Sequence, residues 1–163
     1  MKIKLTRVHE KEKHVLFRLL QYSLFEESIS DQNEMNQEAL FEYKWFEHYF
    51  TDDDRDAYFI REEETDKLLG FVMINTYVQK CDSGHSIAEF MVVPKYRRNK
   101  IGKRVAIECF KKYSGNWEVS PSYGSESALR FWENVINEYT EGNNLFVDGV
   151  YVFHTKVDRK SVV

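Results

Sequence analysis

Residues 87–113 read IAEFMVVPKYRRNKIGKRVAIECFKKY, and the fold is decided in this stretch. Its opening, residues 87–93, is apolar except for Glu89, the pattern of a strand covered on both faces. Pro94 has no amide to offer a neighbouring strand and ends it. Further on, Ile101, Val105, Cys109 and Tyr113 recur four apart, with Ala106 and Phe110 widening the stripe. Lys103, Arg104, Glu108, Lys111 and Lys112 fall largely on the other side, so this is an amphipathic helix. Between strand and helix, residues 95–104 hold six cations, no acid and one glycine, Gly102. Free amides and the positive dipole end at the start of a helix favour an anion there. Strand, basic turn and helix together read as a phosphate cradle.

Working outward, residues 2–8 alternate apolar side chains with charges and read as a first, edge strand. A helix is expected over residues 10–27, with Leu16, Leu19, Leu20 and Leu24 on one side. A second is expected over residues 37–50, where Phe41, Trp45 and Tyr49 stand four apart. Residues 57–61 and 68–78 suggest two hairpin strands, residues 116–120 a short strand stopped by Pro121, and residues 125–137 a helix. Residues 145–157 close the chain as one or two strands. Strands linked by turns are expected to pair antiparallel, and those linked through helices parallel. This order is mixed α/β with about four helices, in a single domain spanning residues 1–163.

Composition bounds the function. A chain of 163 residues, 42% hydrophobic and 15% aromatic, builds one full core and is not disordered. A net charge of −4 speaks against wholesale nucleic-acid binding, so the basic turn points to a localised anion. Cys81 and Cys109 are too few for a disulfide framework, and no early apolar run or membrane-length segment is present. The expected setting is cytoplasmic, with no membrane partner. The five histidines show no metal-ligand spacing, so no metal is assigned.

Residues 88–132 resemble the GNAT superfamily of acyl-CoA-dependent N-acyltransferases. That family places Gln/Arg-x-x-Gly-x-Gly/Ala between a strand and a helix, and the matching positions here are Arg97, Lys100 and Gly102. Val92-Val93-Pro94 matches the Val-x-Pro that leads into the turn, and Ser125, Ala128, Phe131 and Trp132 align with a later Asn-x-x-Ala-x-x-Phe-Tyr motif. Lys100 stands where the first glycine usually sits. Ser125 replaces asparagine, another good helix cap. Trp132 replaces a tyrosine that in many relatives protonates the leaving thiolate, and an indole has no such acid chemistry. The Phe-Trp pair resembles a bacterial branch of the family.

The resemblance implies an acetyl-CoA co-substrate, a small-molecule or peptide amine as acceptor, and direct attack by the amine. The pyrophosphate would rest on the amides of Arg98, Asn99, Lys100, Ile101, Gly102 and Lys103. The pantetheine arm would pair with the backbone of Phe90, Met91 and Val92, in a splay between the Glu89 strand and the Trp117 strand. Ser125, Ala128 and Trp132 complete the cofactor positions. The oxyanion donor would be the amide of Met91 or Val92. Glu89, the lone charge in its strand, is the candidate base, against a plain structural carboxylate tied to a neighbour. Tyr123 or Tyr151 could protonate the thiolate, of which Tyr123 is chosen, with solvent as the alternative source. The first two helices usually line the acceptor cleft, so their acids could attract a cationic amine, although a solvated face is the plainer reading. The competing function is a non-catalytic acyl-CoA-binding or sensing module of the same fold, and a homodimer is compatible with either.

Overall fold

Seven strands form one sheet in the computed structural model, which describes residues 1–156. They are β1 (Ile3–Arg7), β2 (Arg55–Glu62), β3 (Leu68–Asn75), β4 (His85–Val92), β5 (Gly115–Val119), β6 (Asn144–Val147) and β7 (Val150–Thr155), in the order β1-β2-β3-β4-β5-β7-β6. The helices are α1 (Lys13–Asp31), α2 (His48–Thr51), α3 (Ile101–Lys112) and α4 (Glu126–Thr140). β1 is an edge strand, as the alternation in residues 2–8 implies. Residue 157, the expected end of the last strand, lies outside the described residues.

Among the described residues only β4 and β5 pair parallel, and they do so at His85–Trp117 and Ser86–Glu118. Beyond those two pairs the strands part, which is the splay expected between the Glu89 and Trp117 strands. The paired end is pinned by Glu118, only 2% exposed, whose carboxylate accepts the amides of Gln79, Lys80 and Cys81 at 2.7, 2.8 and 2.7 Å. Three donors on one carboxylate keep it ionised and hold the β3–β4 turn against β5.

The sheet is covered on both faces. Ile101, Val105, Ala106, Cys109 and Phe110 of α3 and Val135 and Ile136 of α4 pack with Trp117 and Phe153 on one face. Leu16, Leu20 and Leu24 of α1 pack with Phe59, Phe71 and Met73 on the other. Burying such side chains contributes roughly 1.5–3 kcal/mol each, which explains why the four-residue spacings of α1 and α3 forecast these helices.

Two expectations fail. The helix over residues 37–50 shrinks to α2, four residues long. The Asn36 side chain accepts the amides of Glu38 and Leu40 at 2.9 and 3.2 Å, and Ala39 takes a left-handed φ of 62°. Gln21 then binds both the amide and the carbonyl of Phe41 at 2.8 Å. Backbone groups committed to side chains are withdrawn from a helix. The aromatics Phe41, Phe46 and Tyr49 are buried and survive as core, whereas Trp45 faces out. The second failure is β1–β2, which pair antiparallel although helices intervene, because α1 and the segment after it carry the chain across the sheet and back. The first helix also differs at its ends. A 3-10 turn, Glu10–Glu12, precedes it, and it runs to Asp31, where Gln32 closes it with φ 64°.

Candidate active site

The turn between β4 and α3 shapes the site. Pro94–Tyr96 form a 3-10 turn, Arg98 and Lys100 take left-handed φ values of 71° and 58°, and Ile101 begins the helix. Lys100 thus adopts the conformation that a glycine would reach freely, at a cost of about 1–2 kcal/mol. A left-handed residue followed by a right-handed one turns successive amides to one side, the geometry of an anion nest. The first bond of α3 runs from the Arg104 amide to the Lys100 carbonyl at 3.1 Å, so the helix leaves the amides of residues 101–103 to other partners. Arg104 reaches back to the Asn99 carbonyl at 3.0 Å and the Lys100 carbonyl at 3.5 Å, and also meets the Met1 carbonyl. It therefore holds the carbonyl side of the turn.

Four of the six cations line the cleft, and they divide by task. Arg97 is clamped, its guanidinium on Glu26 at 3.0 and 2.7 Å and its Nε on the Val92 carbonyl at 2.8 Å. Lys103 ties α3 to α4 through Glu138 at 2.6 Å. Arg98 and Lys100 line the cleft and have no ion pair among the described residues, so their charge is available to an anion.

That cleft encloses about 1070 Å³ between α1, β4, α3 and α4. Phe90, Met91 and Val92 form one side, Ile101 and Gly102 the turn, and Ser125, Ala128 and Trp132 the wall opposite. Asn99, Glu89 and Tyr123 are not among its lining residues. Ser125 caps α4 by accepting the Ala128 amide at 3.2 Å, as the substitution for asparagine implies. Trp132 is buried and packs edge-on against Phe90 at 5.2 Å and Phe131 at 4.9 Å, so the indole is a wall. Gly102 faces the Phe131 ring closely, and a methyl group there would stand 3.2 Å from two ring carbons.

Strand alternation decides which groups face the splay. The Val93 amide donates to the Leu69 carbonyl at 2.7 Å, so β3 takes the polar groups of Val93 and, two residues back, of Met91. Peptide planarity turns the Val92 carbonyl the opposite way, where Arg97 meets it. The amides of Phe90 and Val92 share that side. Of the two oxyanion donors considered, the Val92 amide faces the splay and the Met91 amide faces β3.

Glu89 lies next to a β-bulge. Met73 pairs with Glu89 and Ile74 with Ile87, which leaves Ala88 as the extra residue. The bulge re-aims the chain, so Ile87 packs with α3 and α4 while the Glu89 carboxyl meets α1 and Tyr43. Burial, then Glu27 and Asp31, push that carboxyl up to about 8, against a hydrogen bond from Tyr43 that lowers it. Glu27 is pushed up to about 7 by burial and by Asp31 and Glu26, and hydrogen bonds to Ser23 and Ser122 oppose this. Glu27 and Ser122 line the cleft; Glu27 is one of the first-helix acids weighed as an attractor of a cationic amine, whereas sequence reasoning missed Ser122. Tyr123, between Ser122 and Gly124 on the cleft rim, is 86% exposed.

The amide nest and the parted strands thus open into one wide cleft, whose lining includes Glu27 with its raised proton affinity. The sequence model of the acetyltransferase (GNAT) family matches residues 21–134, from within α1 to within α4, and the chain belongs to that family. A GNAT-family acetyltransferase from Staphylococcus aureus Mu50 shares the fold with a TM-score of 0.62 at 14% identity, over 95% of this chain and 100% of that one. Arabidopsis thaliana NAA60, in complex with a bisubstrate analogue, gives 0.61 at 13% identity over 96% and 100%. The aminoglycoside antibiotic 6′-N-acetyltransferase AAC(6′)-Ih of Acinetobacter baumannii gives 0.58 at 10% identity over 82% and 89%. No curated protein matches the chain in sequence. Among the described residues no group of three or more His, Cys, Asp or Glu could hold a metal ion, and no helix is long and apolar enough to cross a membrane.

Proposed function

We propose that the chain is an N-acetyltransferase that moves an acetyl group from acetyl-CoA to a primary amine of a small molecule or peptide in a ternary complex. One observation carries this reading: the nest at residues 98–103 and the free edge of β4 open into one cleft. The residues fit the co-substrate. Amides of the turn, with Arg98 and Lys100, suit a pyrophosphate, and the Phe90 and Val92 amides on the open edge suit an extended amide-bearing arm. Lys100 and Trp132 are compatible with this fit, since the first holds the glycine-like φ and the second forms wall.

In the proposed reaction Glu89 takes a proton from the bound ammonium, directly or through water, and so frees the amine to attack the thioester, a task suited to a carboxyl whose proton affinity is raised toward that of an amine. The Val92 amide faces the position where the thioester oxygen would gain charge. Tyr123 supplies the thiolate proton from the rim, with solvent as the competing source. Cys81 and Cys109 are free thiols, in keeping with a cytoplasmic setting. Glu89→Gln is expected to lower turnover at neutral pH far more than it lowers CoA affinity. An unaltered pH–rate profile in that variant would make Glu89 structural.

Trp132 in the place of tyrosine is the observation that favours the second reading, an acyl-CoA-binding or sensing module. Release of thiol from acetyl-CoA in the presence of any amine excludes it.

A further inference from the structure

The two edges of the sheet are built differently. β1 carries Lys4 and Arg7, tied to Asp66 at 2.8 Å and to Asp56 at 2.6 Å, and a charged edge resists pairing with another chain. β6, at the other edge, holds no charge. Its residues Leu145, Phe146 and Val147 follow one another and are 66%, 51% and 41% exposed. Consecutive apolar side chains in water, on a strand whose outer side pairs with no other strand among the described residues, form a template for a further strand.

Hairpin geometry fixes which backbone groups this edge offers. Val147 pairs with Val150 across the two-residue turn Asp148-Gly149, whose φ values of 50° and 79° are left-handed. The residues flanking such a turn exchange both hydrogen bonds, so by alternation the next pair, Phe146 with Tyr151, exchanges none. The amide and carbonyl of Phe146 therefore point away from β7, toward the open edge. The two rings of that pair stack at 4.5 Å, which puts Phe146 on the α4 face with buried Tyr151. Leu145 and Val147 then lie on the opposite face.

We propose that β6 is a dimerisation edge, pairing antiparallel with β6 of a second copy about a two-fold axis at Phe146 and joining two sheets into one. The inference is independent of the chemistry of the cleft. A second copy is the occupant because the strand is complementary to itself in this register. Phe146 and the partner's Phe146 exchange amide-to-carbonyl bonds, and their rings extend the stack with Tyr151 across the axis. Leu145 meets the partner's Val147, and Val147 the partner's Leu145, so apolar faces apolar on the other side. Uncharged Asn144 meets the partner's Asp148, whose charge is held by Lys80 at 2.9 Å. A shift by two residues in either direction would set Phe146 against Asn144 or Asp148 instead. A four-residue edge is a small interface, so association is expected in the micromolar range.

The test is sedimentation velocity on the protein from about 1 to 200 μM, a range that spans a weak interface. The wild type should pass from monomer to dimer as concentration rises. Phe146→Lys and Phe146→Glu each set like charges against one another across the axis and should stay monomeric. Their equimolar mixture sets opposite charges together and should recover the dimer. Circular dichroism checks folding, which a half-exposed side chain should not govern. If either variant fails to fold, hydrogen exchange in the wild type decides, with the Phe146 amide slowing as concentration rises. A dimer that survives Phe146→Lys, folded variants that do not associate when mixed, or a concentration-independent Phe146 amide overturns the proposal. So does a wild type that stays monomeric throughout, which would leave the edge to a strand of another protein.

Discussion

Replacing Gly102 tests the phosphate cradle with a magnitude that the geometry supplies. A methyl group at this position would sit 3.2 Å from two carbons of Phe131 and 3.7 Å from Phe90, so Gly102→Ala needs the Phe131 ring to yield by a few tenths of an ångström. Alanine also gains about 1 kcal/mol of helix propensity over glycine. Gly102→Ala should therefore bind CoA within about threefold of wild type, a change below 1 kcal/mol. Gly102→Glu adds a carboxylate at the helix start, where the proposed pyrophosphate rests. Two like charges about 4 Å apart near a protein surface repel by about 4 kcal/mol, on the order of a thousandfold in Kd. Salt and solvent screening reduce this to roughly a hundredfold. An acid in the first turn suits the helix dipole, so the free protein should not lose stability from its charge. Calorimetric titration of CoA into wild type and both variants measures the effect, with circular dichroism as the check on folding. Wild-type affinity in a folded Gly102→Glu variant would refute the cradle.

Three further outcomes follow from the structure. The Glu89 carboxyl is raised from 4.5 to about 8, so the native state holds a proton that the unfolded chain releases as pH rises through that window. Stability should fall from pH 4.5 to 8, and Glu89→Gln, which cannot ionise, should gain over wild type by on the order of 5 kcal/mol at alkaline pH and little in acid. Thermal melts at both ends check this, and an equal gain at each would contradict it. A methyl group on Gly70 would lie 2.0 Å from the Met91 carbonyl oxygen and 3.0 Å from Val92 Cα, backbone atoms that cannot step aside without parting β3 from β4. Gly70→Ala should cost about 3 kcal/mol, roughly 10 °C in Tm, and an unchanged melt would show that the strands are less closely apposed. Tyr123→Phe should lower kcat about tenfold with KM unchanged if its hydroxyl protonates the thiolate. An unaffected kcat gives that proton to solvent.

The parts legible in sequence were those set by local repetition. The stripe from Ile101 to Tyr113 and the proline that ends β4 are short-range signals, and both the helix and the turn stand where they indicate. The same reasoning misread residues 37–50, because Phe41, Trp45 and Tyr49 have helical spacing while the backbone is governed by Asn36 and Gln21, whose bonds are matters of orientation. The basic cluster was legible as a unit but not in its division of labour. Arg97 and Lys103 meet Glu26 and Glu138, partners 71 and 35 residues away, and of the four cations lining the cleft that leaves Arg98 and Lys100 without an ion pair among the described residues. Glu89 stood out as a lone charge in an apolar strand. Its environment did not, because Glu27 and Tyr43 reach it from elsewhere in the chain through the bulge at Ala88, and a bulge leaves no periodic mark.

The central claim is that this cleft transfers an acetyl group to an amine. It is tested most directly by following thiol release from acetyl-CoA across a panel of primary amines, small molecules and peptides, at about pH 8.5, where Glu89 is largely ionised. The account predicts amine-dependent release that saturates in acetyl-CoA and is lost in Glu89→Gln. Saturable CoA binding without release to any amine would contradict it and leave the chain as a binding module.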